Sequence, residues 1–116
     1  MEFKEKQAIY LQIADYICDN ILNGKYPAEE KILSVRDIAV KLEVNPNTAM
    51  RAYDILQQQD IISNKRGIGF FVTQEAKDII IKVRKKRFFE TQLPEFFNTL
   101  KLLKIDINEI IEKYEE

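Results

Sequence analysis

VNPNTAMRAYDILQQQD, residues 44–60, is the most informative part of this sequence. Asn45 is a favourable helix N-cap, and Pro46 after it suits the first helical position, where a missing N–H costs nothing. The apolar side chains that follow recur at three- and four-residue steps, which predicts an amphipathic helix. Its expected core-facing residues are Ala49, Ala52, Tyr53 and Leu56. The helix therefore begins with short polar side chains that are left facing solvent.

A second short helix is predicted directly before this one. In SVRDIAVKLEV, residues 34–44, Ser34 is a good N-cap, and Asp37 three positions later acts in the manner of a capping box and adds negative charge to the first turn. Only the corner Glu43-Val44-Asn45 separates the two helices. Two helices joined so closely are typical of a helix-turn-helix, in which the start of the second helix enters the DNA major groove.

The residues on either side extend this arrangement. Residues 10–22 carry apolar side chains at helical spacing and end at Asn23-Gly24, a favourable helix stop. After Asp60 the pattern becomes extended, with IIS, the turn NKRGIG and then FFVT, which predicts a β-hairpin. The tip of this hairpin would carry Lys65, Arg66 and Gly67. The order helix, helix, helix, hairpin predicts a winged helix-turn-helix domain over residues 1–73.

The remaining residues are predicted to be helical throughout. Pro94 is expected to start or kink a helix, and Asp106 with Glu109 forms a capping-box pattern for a final short helix. We therefore expect a mainly α fold with a small β-hairpin, in which the winged helix-turn-helix domain is followed by a short all-α C-terminal dimerisation segment, residues 74–116.

This C-terminal segment is too small to fold around its own core, yet it is rich in large apolar side chains. Homodimers with two-fold symmetry are the commonest soluble assemblies, so we expect pairing with a second copy. The alternative is that the segment packs back on its own winged domain. The expected dimerisation residues are Phe88, Phe89, Leu93, Phe96, Phe97, Leu100 and Leu103.

Composition argues against catalysis. The 116 residues suffice for one small core and an appendage. The sequence has no histidine, a single cysteine (Cys18) that we interpret as a buried small hydrophobe, and three scattered glycines, so metal spacings, catalytic triads and phosphate-cradling loops are absent. We expect no enzyme activity, no metal and no cofactor. With no secretory signal and no membrane-spanning run, we expect a cytoplasmic protein with no membrane partner.

The net charge of −1 is less basic than that of most nucleic-acid-binding domains. The charges are unevenly distributed, however. Residues 25–72 have seven Lys and Arg against six Asp and Glu, residues 73–90 have six against three, and residues 91–116 have three against six. Most acids thus lie away from the expected DNA-binding residues. The basic run KVRKKR, residues 82–87, fits either a further DNA contact or a solvated helix face.

Three motifs occur in one order: SVR, NPNTxxRAYxxL and RGxGxFV. With IYLQIADYICDNILNGKY before them, they resemble the DNA-binding domain of GntR-family bacterial transcriptional regulators, and the helical tail resembles the YtrA-type subgroup. The resemblance implies that Arg36 contacts phosphate or a base edge and that Arg51 lies on the exposed recognition face. It places Asn45, Asn47 and Thr48 at the contacting turn and helix start, and Lys65, Arg66 and Gly67 at a wing tip that reaches the minor groove. Pro46 stands where many relatives carry a basic residue.

These observations predict a sequence-specific DNA-binding transcriptional regulator, a repressor, that binds a pseudo-palindromic double-stranded DNA operator as a homodimer. A small-molecule effector of unknown identity is left open. The alternative is a winged-helix protein–protein interaction module without DNA specificity. The candidate DNA-binding residues are Ser34, Arg36, Asn45, Pro46, Asn47, Thr48, Arg51, Lys65, Arg66 and Gly67. Ser34 and Thr48 suit phosphate contacts, whereas Arg36 and Asn47 suit guanine and adenine edges.

Overall fold

The structure, a computed structural model, describes residues 7–116. Residues 1–6 lie outside the described residues; the domain prediction for residues 1–73 includes them, and the expectation of no secretory signal partly rests on them. The described elements are α1 (Ile9–Leu22), α2 (Val35–Leu42), α3 (Pro46–Gln58), β1 (Ile62–Lys65), β2 (Gly69–Val72), α4 (Ala76–Arg87), a π-helical segment (Phe88–Gln92), α5 (Leu93–Leu103) and α6 (Ile107–Tyr114). The predicted fold class, mainly helical with one antiparallel hairpin, is confirmed.

The two helix starts have the predicted caps. The Ser34 hydroxyl accepts a hydrogen bond from the Asp37 backbone N–H at 3.1 Å, and the Asn45 side-chain oxygen accepts one from the Asn47 N–H at 2.8 Å. Pro46 occupies the first helical position of α3. Each cap satisfies a backbone donor that has no partner inside its helix. The caps therefore fix where α2 and α3 begin.

The corner between α2 and α3 is closed by a left-handed residue. Glu43 has φ 55°, and the Val44 N–H donates to the Ala39 carbonyl oxygen at 3.0 Å. The Glu43 N–H donates to the Val40 carbonyl oxygen at 3.2 Å, which completes a Schellman ending of α2. Glycine is the usual residue at this position, so Glu43 holds a conformation that its Cβ disfavours.

One apolar core unites α1, α2, α3 and the hairpin. Ile13, Ile17, Ile38 and Leu56 are fully buried in it, and Cys18 is buried as predicted. Tyr53 is also fully buried: the phenol donates to the Leu33 carbonyl oxygen at 2.6 Å, and the ring meets Phe70 edge-on with 4.9 Å between centroids. Tyr53 therefore links α3 both to the loop before α2 and to β2.

The hairpin register pairs Ile62 with Val72 and Lys65 with Gly69. Lys65 thus ends β1 instead of lying in the turn, which consists of residues 66–68. A further segment, which the sequence analysis did not predict to be extended, pairs with β2. Lys31 forms an isolated antiparallel bridge with Phe71, supported by hydrogen bonds from the Ile32 N–H to the Phe70 carbonyl oxygen (2.9 Å) and from the Val72 N–H to the Glu30 carbonyl oxygen (3.0 Å).

The chain divides into two compact units with a boundary between Ile81 and Lys82, inside α4. In the first unit, Ala76 and Ile80 of α4 are buried in the core. The second unit contains the π-helical segment, α5 and α6. Within the described residues, no helix is both long and apolar enough to cross a membrane.

The second unit is helical but interrupted. Pro94 lies in the first turn of α5, as predicted, and the wider π-helical turn directly precedes it. α5 ends at Lys104, which has φ 56°, and residues 104–106 separate it from α6. The predicted capping box is confirmed: the Asp106 carboxylate accepts from the Asn108 N–H at 2.8 Å, and the Glu109 carboxylate accepts from the Asp106 N–H at 3.0 Å.

Candidate nucleic-acid interface

The start of α3 is open to solvent. Asn45, Pro46 and Asn47 are exposed, and Thr48 is half-buried. The side-chain oxygen of Asn45 is occupied by the cap, so the residue has an assigned structural role in addition to any contact its amide NH₂ makes. Asn47 has no such cap role, and its amide can offer both a donor and an acceptor to a base edge. Asn47 is therefore the residue at this helix end whose side chain is best placed for the predicted base contact.

Arg51 lies one turn further along α3, and its side chain is held in place. Its guanidinium carbon is 3.9 Å from the centroid of the Tyr10 ring, which belongs to α1 and is half-buried against the core. A cation over an aromatic face is attracted by the ring quadrupole. The contact restricts a long side chain that would otherwise sample many rotamers, while Arg51 stays exposed.

The first turn of α2 supplies two further candidates. Ser34 and Arg36 are both exposed, and the Ser34 hydroxyl oxygen already accepts the capping hydrogen bond from Asp37. A serine hydroxyl can accept that bond and still donate its own proton. Arg36 presents a planar guanidinium that can form two parallel hydrogen bonds to a guanine edge or to a phosphate. Ser34 and Arg36 can thus act together at the start of one helix.

The hairpin turn supplies the remaining predicted residues. Lys65, Arg66 and Gly67 are exposed, and Gly67 has φ 78°, which favours glycine. A Cβ at Gly67 would meet no atom within 4 Å, so open space surrounds the turn. The Lys65 ammonium lies 4.3 Å from the centroid of the Phe71 ring. The turn therefore has the exposure and charge of a DNA-contacting wing.

All ten candidates belong to the first unit, in which α3 packs on α1, α2 and β1. Two aromatic partners, Tyr10 and Phe71, were not singled out as functional by sequence. Periodicity assigns Tyr10 to the core face, and no local pattern shows that a ring lies under a cation that is distant in sequence. Met50, 39% exposed on α3, presents an apolar surface beside Asn47.

Two tyrosines of the first unit have shifted pKa values. Burial raises the pKa of the Tyr53 phenol above its ordinary value, and the pKa of Tyr26 is also raised, chiefly by burial. Both phenols stay protonated donors at neutral pH. Among residues 7–116, no three His, Cys, Asp or Glu side chains lie together in a way that could hold a metal ion.

In the second unit, six of the seven expected dimerisation residues have accessible side chains. Phe88, Phe96 and Phe97 are each about 40% exposed, and Phe89 and Leu103 about 60%. Leu93 is half-buried, whereas Leu100 is buried. Leu100 therefore has little surface to offer a partner, and the other six offer apolar surface.

Residues 9–72 match the family of bacterial regulatory proteins named gntR. The chain is 32% identical over 111 residues to the HTH-type transcriptional regulator YhcF of Bacillus subtilis, which is itself uncharacterized, and the match covers 96% of this chain and 90% of YhcF. It is 34% identical over 74 residues to the HTH-type transcriptional repressor YtrA of Bacillus subtilis, covering 64% of this chain and 57% of YtrA.

A solved structure shows the same architecture along nearly the whole chain. It is the crystal structure of a GntR-family transcriptional regulator from Bacteroides thetaiotaomicron, with a TM-score of 0.78 and 52% identity, and the match covers 93% of this chain and 94% of that one. The caps, the helix-turn-helix corner and the hairpin lie inside the matched region. The chain belongs to the GntR family of bacterial regulatory proteins and has its winged helix-turn-helix fold.

Proposed function

We propose that this protein is a cytoplasmic transcriptional repressor that binds a pseudo-palindromic DNA operator as a homodimer. The observation that carries the proposal is the exposed polar start of α3, which is capped by Asn45 and begins with Pro46, in the same unit as an exposed cationic hairpin turn. A major groove admits one α-helix, and short polar side chains at the helix start can reach base edges.

The candidate side chains divide into three groups in this proposal. Arg36 and Asn47 read bases, and a good bidentate contact of this kind contributes about 1–3 kcal/mol of discrimination. Ser34, Thr48 and Arg51 contact phosphates and set the register of the protein on the duplex. Lys65 and Arg66 bind the DNA beside the recognition helix, where Gly67 lets the backbone come close.

The second unit supports the homodimer. α6 has eight residues, and its Ile107 and Ile111 are both about half exposed. A helix this short is marginal in water unless its apolar face packs on something. A second copy with the same apolar face provides that surface through a two-fold interface. Two winged domains joined in this way would bind half-sites about 34–36 Å apart, or a multiple of that distance.

The repressor assignment rests on the similarity to YtrA, which is named as a repressor. Binding an operator that overlaps a promoter needs no catalytic group, and we assign none. An effector, if one exists, would act on the two-fold assembly. No residue is assigned to an effector site.

Selection of bound fragments from random double-stranded DNA tests the proposal. We expect one enriched pseudo-palindrome with two equal half-sites. Arg36→Glu and Lys65→Glu should each abolish binding to it while leaving the protein folded and dimeric. Lys25→Glu, a charge reversal at an exposed lysine in the loop after α1, serves as the matched control. Recovery of no preferred sequence, with the charge reversals indistinguishable from the control, would favour the protein–protein interaction module and refute the repressor.

A further inference from the structure

The outer face of the small sheet has not been assigned a role. Residues directly opposite each other in a ladder place their side chains on the same face, as do residues two apart in a strand. The pairs Lys31–Phe71 and Lys65–Gly69 therefore share one face. The opposite face carries the buried Ile62 and Val72. The outer face thus carries Lys31, Lys65 and the Phe71 ring.

The Lys31 side chain lies across Gly69. A Cβ built on Gly69 would be 2.7 Å from Lys31 Cε and 3.5 Å from Lys31 Nζ, so the lysine occupies the space that any other residue would fill. Gly69 also has φ 139°, a conformation that favours glycine. Gly69 is directly opposite Lys65 in the hairpin. The Lys31 side chain therefore lies beside the backbone position that pairs with Lys65.

Phe71 holds the second lysine. Its ring centroid is 4.3 Å from Lys65 Nζ, and its backbone pairs with Lys31. Phe71 is half-buried, so the ring is anchored while the cation above it stays exposed. Lys31 pairs with β2 on the edge opposite β1, so β2 lies between the backbones of the two lysines while their side chains share one face. A row of phosphates along this face could contact both ammonium groups.

We propose that this outer face, Lys31, Phe71 and Lys65, is a second binding surface for the phosphate backbone of double-stranded DNA. The inference rests on the proposed DNA-binding function and adds to it a contact, Lys31, outside the helix-turn-helix and the hairpin turn. Phe71 is a positioning residue: it keeps the Lys65 ammonium over its ring and so on the same face as Lys31. This surface binds phosphate and reads no sequence.

The test measures affinity of the full chain for a short mixed-sequence DNA duplex by fluorescence anisotropy over a series of salt concentrations. Each phosphate contact contributes about 0.9 to the slope of log affinity against log salt. Lys31→Ala and Lys31→Gln should each reduce the slope by about that amount, and Lys31→Arg should restore it. Lys25→Ala, the matched loss of an exposed charge, should leave the slope unchanged.

The role of Phe71 has its own readout. Phe71→Leu should weaken binding about two- to fivefold, the contribution expected of one exposed cation–π contact, and Phe71→Tyr should not. In a Lys65→Ala background the effect of Phe71→Leu should disappear, because the cation that the ring positions is gone. Melting temperatures measured on every variant separate these effects from loss of fold.

If Lys31→Ala and Lys31→Gln match Lys25→Ala in slope while Arg36→Glu still abolishes operator binding, the outer-face proposal is wrong and the repressor proposal stands. If the wild-type chain has no affinity for any duplex, both fail. A Phe71→Leu effect that persists without Lys65 would remove the positioning role.

Discussion

Arg51 is proposed to contact a phosphate, and one contact within the protein already holds its side chain. A free arginine loses rotamer entropy when it grips a phosphate, whereas Arg51 is already confined by its place 3.9 Å from the Tyr10 ring centroid. Tyr10 lies on α1, outside the helix-turn-helix, so it can affect DNA affinity without touching DNA.

We therefore expect Tyr10→Leu to weaken binding to the selected operator about two- to fivefold, since an exposed cation–π contact contributes about 0.5–1 kcal/mol. Tyr10→Phe keeps the ring and should bind like the wild type. Anisotropy titrations at fixed salt measure both variants. Equal losses in Tyr10→Leu and Tyr10→Phe would show that the hydroxyl, and not the ring face, matters.

Glu43 offers a prediction on stability. Its φ of 55° costs a residue with a Cβ about 1–2 kcal/mol. Glycine avoids this strain but loses more conformational entropy on folding, which offsets part of the gain in stability. Glu43→Gly should raise the free energy of unfolding by about 0.5–1 kcal/mol, as measured by urea denaturation. Glu43→Ala is the matched control, because it removes the carboxylate but keeps the Cβ. A gain of equal size in Glu43→Ala would assign the effect to charge instead of backbone strain.

At this scale the sequence predicts what is local. Ser34, Asn45, Pro46 and Asp106 were assigned from their neighbours within three residues, and each has the predicted cap or helix-start role. The stacking of Arg51 on Tyr10 joins residues 41 positions apart in the sequence, and only the packing of α1 on α3 brings them together. The DNA-contacting roles themselves stay predictions.

Among the elements of the first unit, α3 packs against α1, α2 and β1. Its Tyr53 contacts the loop before α2 and strand β2. The phenol donates at 2.6 Å to the Leu33 carbonyl oxygen, directly before the Ser34 cap of α2. Loss of that donor removes the hydrogen bond to the Leu33 carbonyl oxygen. The link therefore fixes the start of α2 relative to the recognition helix.

Tyr53→Phe should destabilise the protein by about 1 kcal/mol at neutral pH, the net contribution of one hydrogen bond. Because burial raises the pKa of Tyr53, the folded state disfavours the phenolate. The stability contributed by the neutral phenol is fully present below pH 10, the ordinary tyrosine value, and is lost as the pH rises above it.

The difference in unfolding free energy between wild type and Tyr53→Phe should accordingly shrink as the pH rises above about 10. Urea denaturation at several pH values measures it. Tyr114→Phe, at a tyrosine that is 90% exposed, is the control and should show no such trend. A constant difference across the alkaline range would contradict the burial argument.

Element types were easier to predict than element ends. The three helices and the hairpin of the winged domain are present where periodicity placed them, because each has a continuous apolar face. The Lys31 bridge was missed, since one bridged residue leaves no alternating pattern. The start of α6 at Asp106 was predicted, but the ending of α5 at Lys104 was not, because the helix there ends in a left-handed residue that is not glycine or asparagine.

At the level of the whole molecule, family membership and the winged fold are confirmed, whereas the domain boundary at residues 73/74 and the dimer stay predictions. Hydrophobic side chains such as Phe89 and Leu103 can be counted in a sequence, but in the proposed dimer their partner lies on another chain. One chain's sequence cannot specify that partner, since the apolar surface is the same whatever covers it. The exposed phenylalanines lie in the second unit, so residues 82–116 are the first place to test for the predicted dimer interface.

Phe89, which is 60% exposed in the second unit, gives the sharpest test of the dimer. A glutamate there would have to be buried without a partner in a two-fold interface, and it would be buried twice. Phe89→Glu should therefore yield a folded monomer by light scattering. Operator affinity should fall by about a hundredfold or more, because the two half-sites are then bound independently and avidity is lost.

Val40→Glu, at a 74% exposed position of α2, should stay dimeric. A Phe89→Glu protein that remains dimeric would move the interface away from the phenylalanines, and a wild-type monomer would favour packing of the segment on its own winged domain.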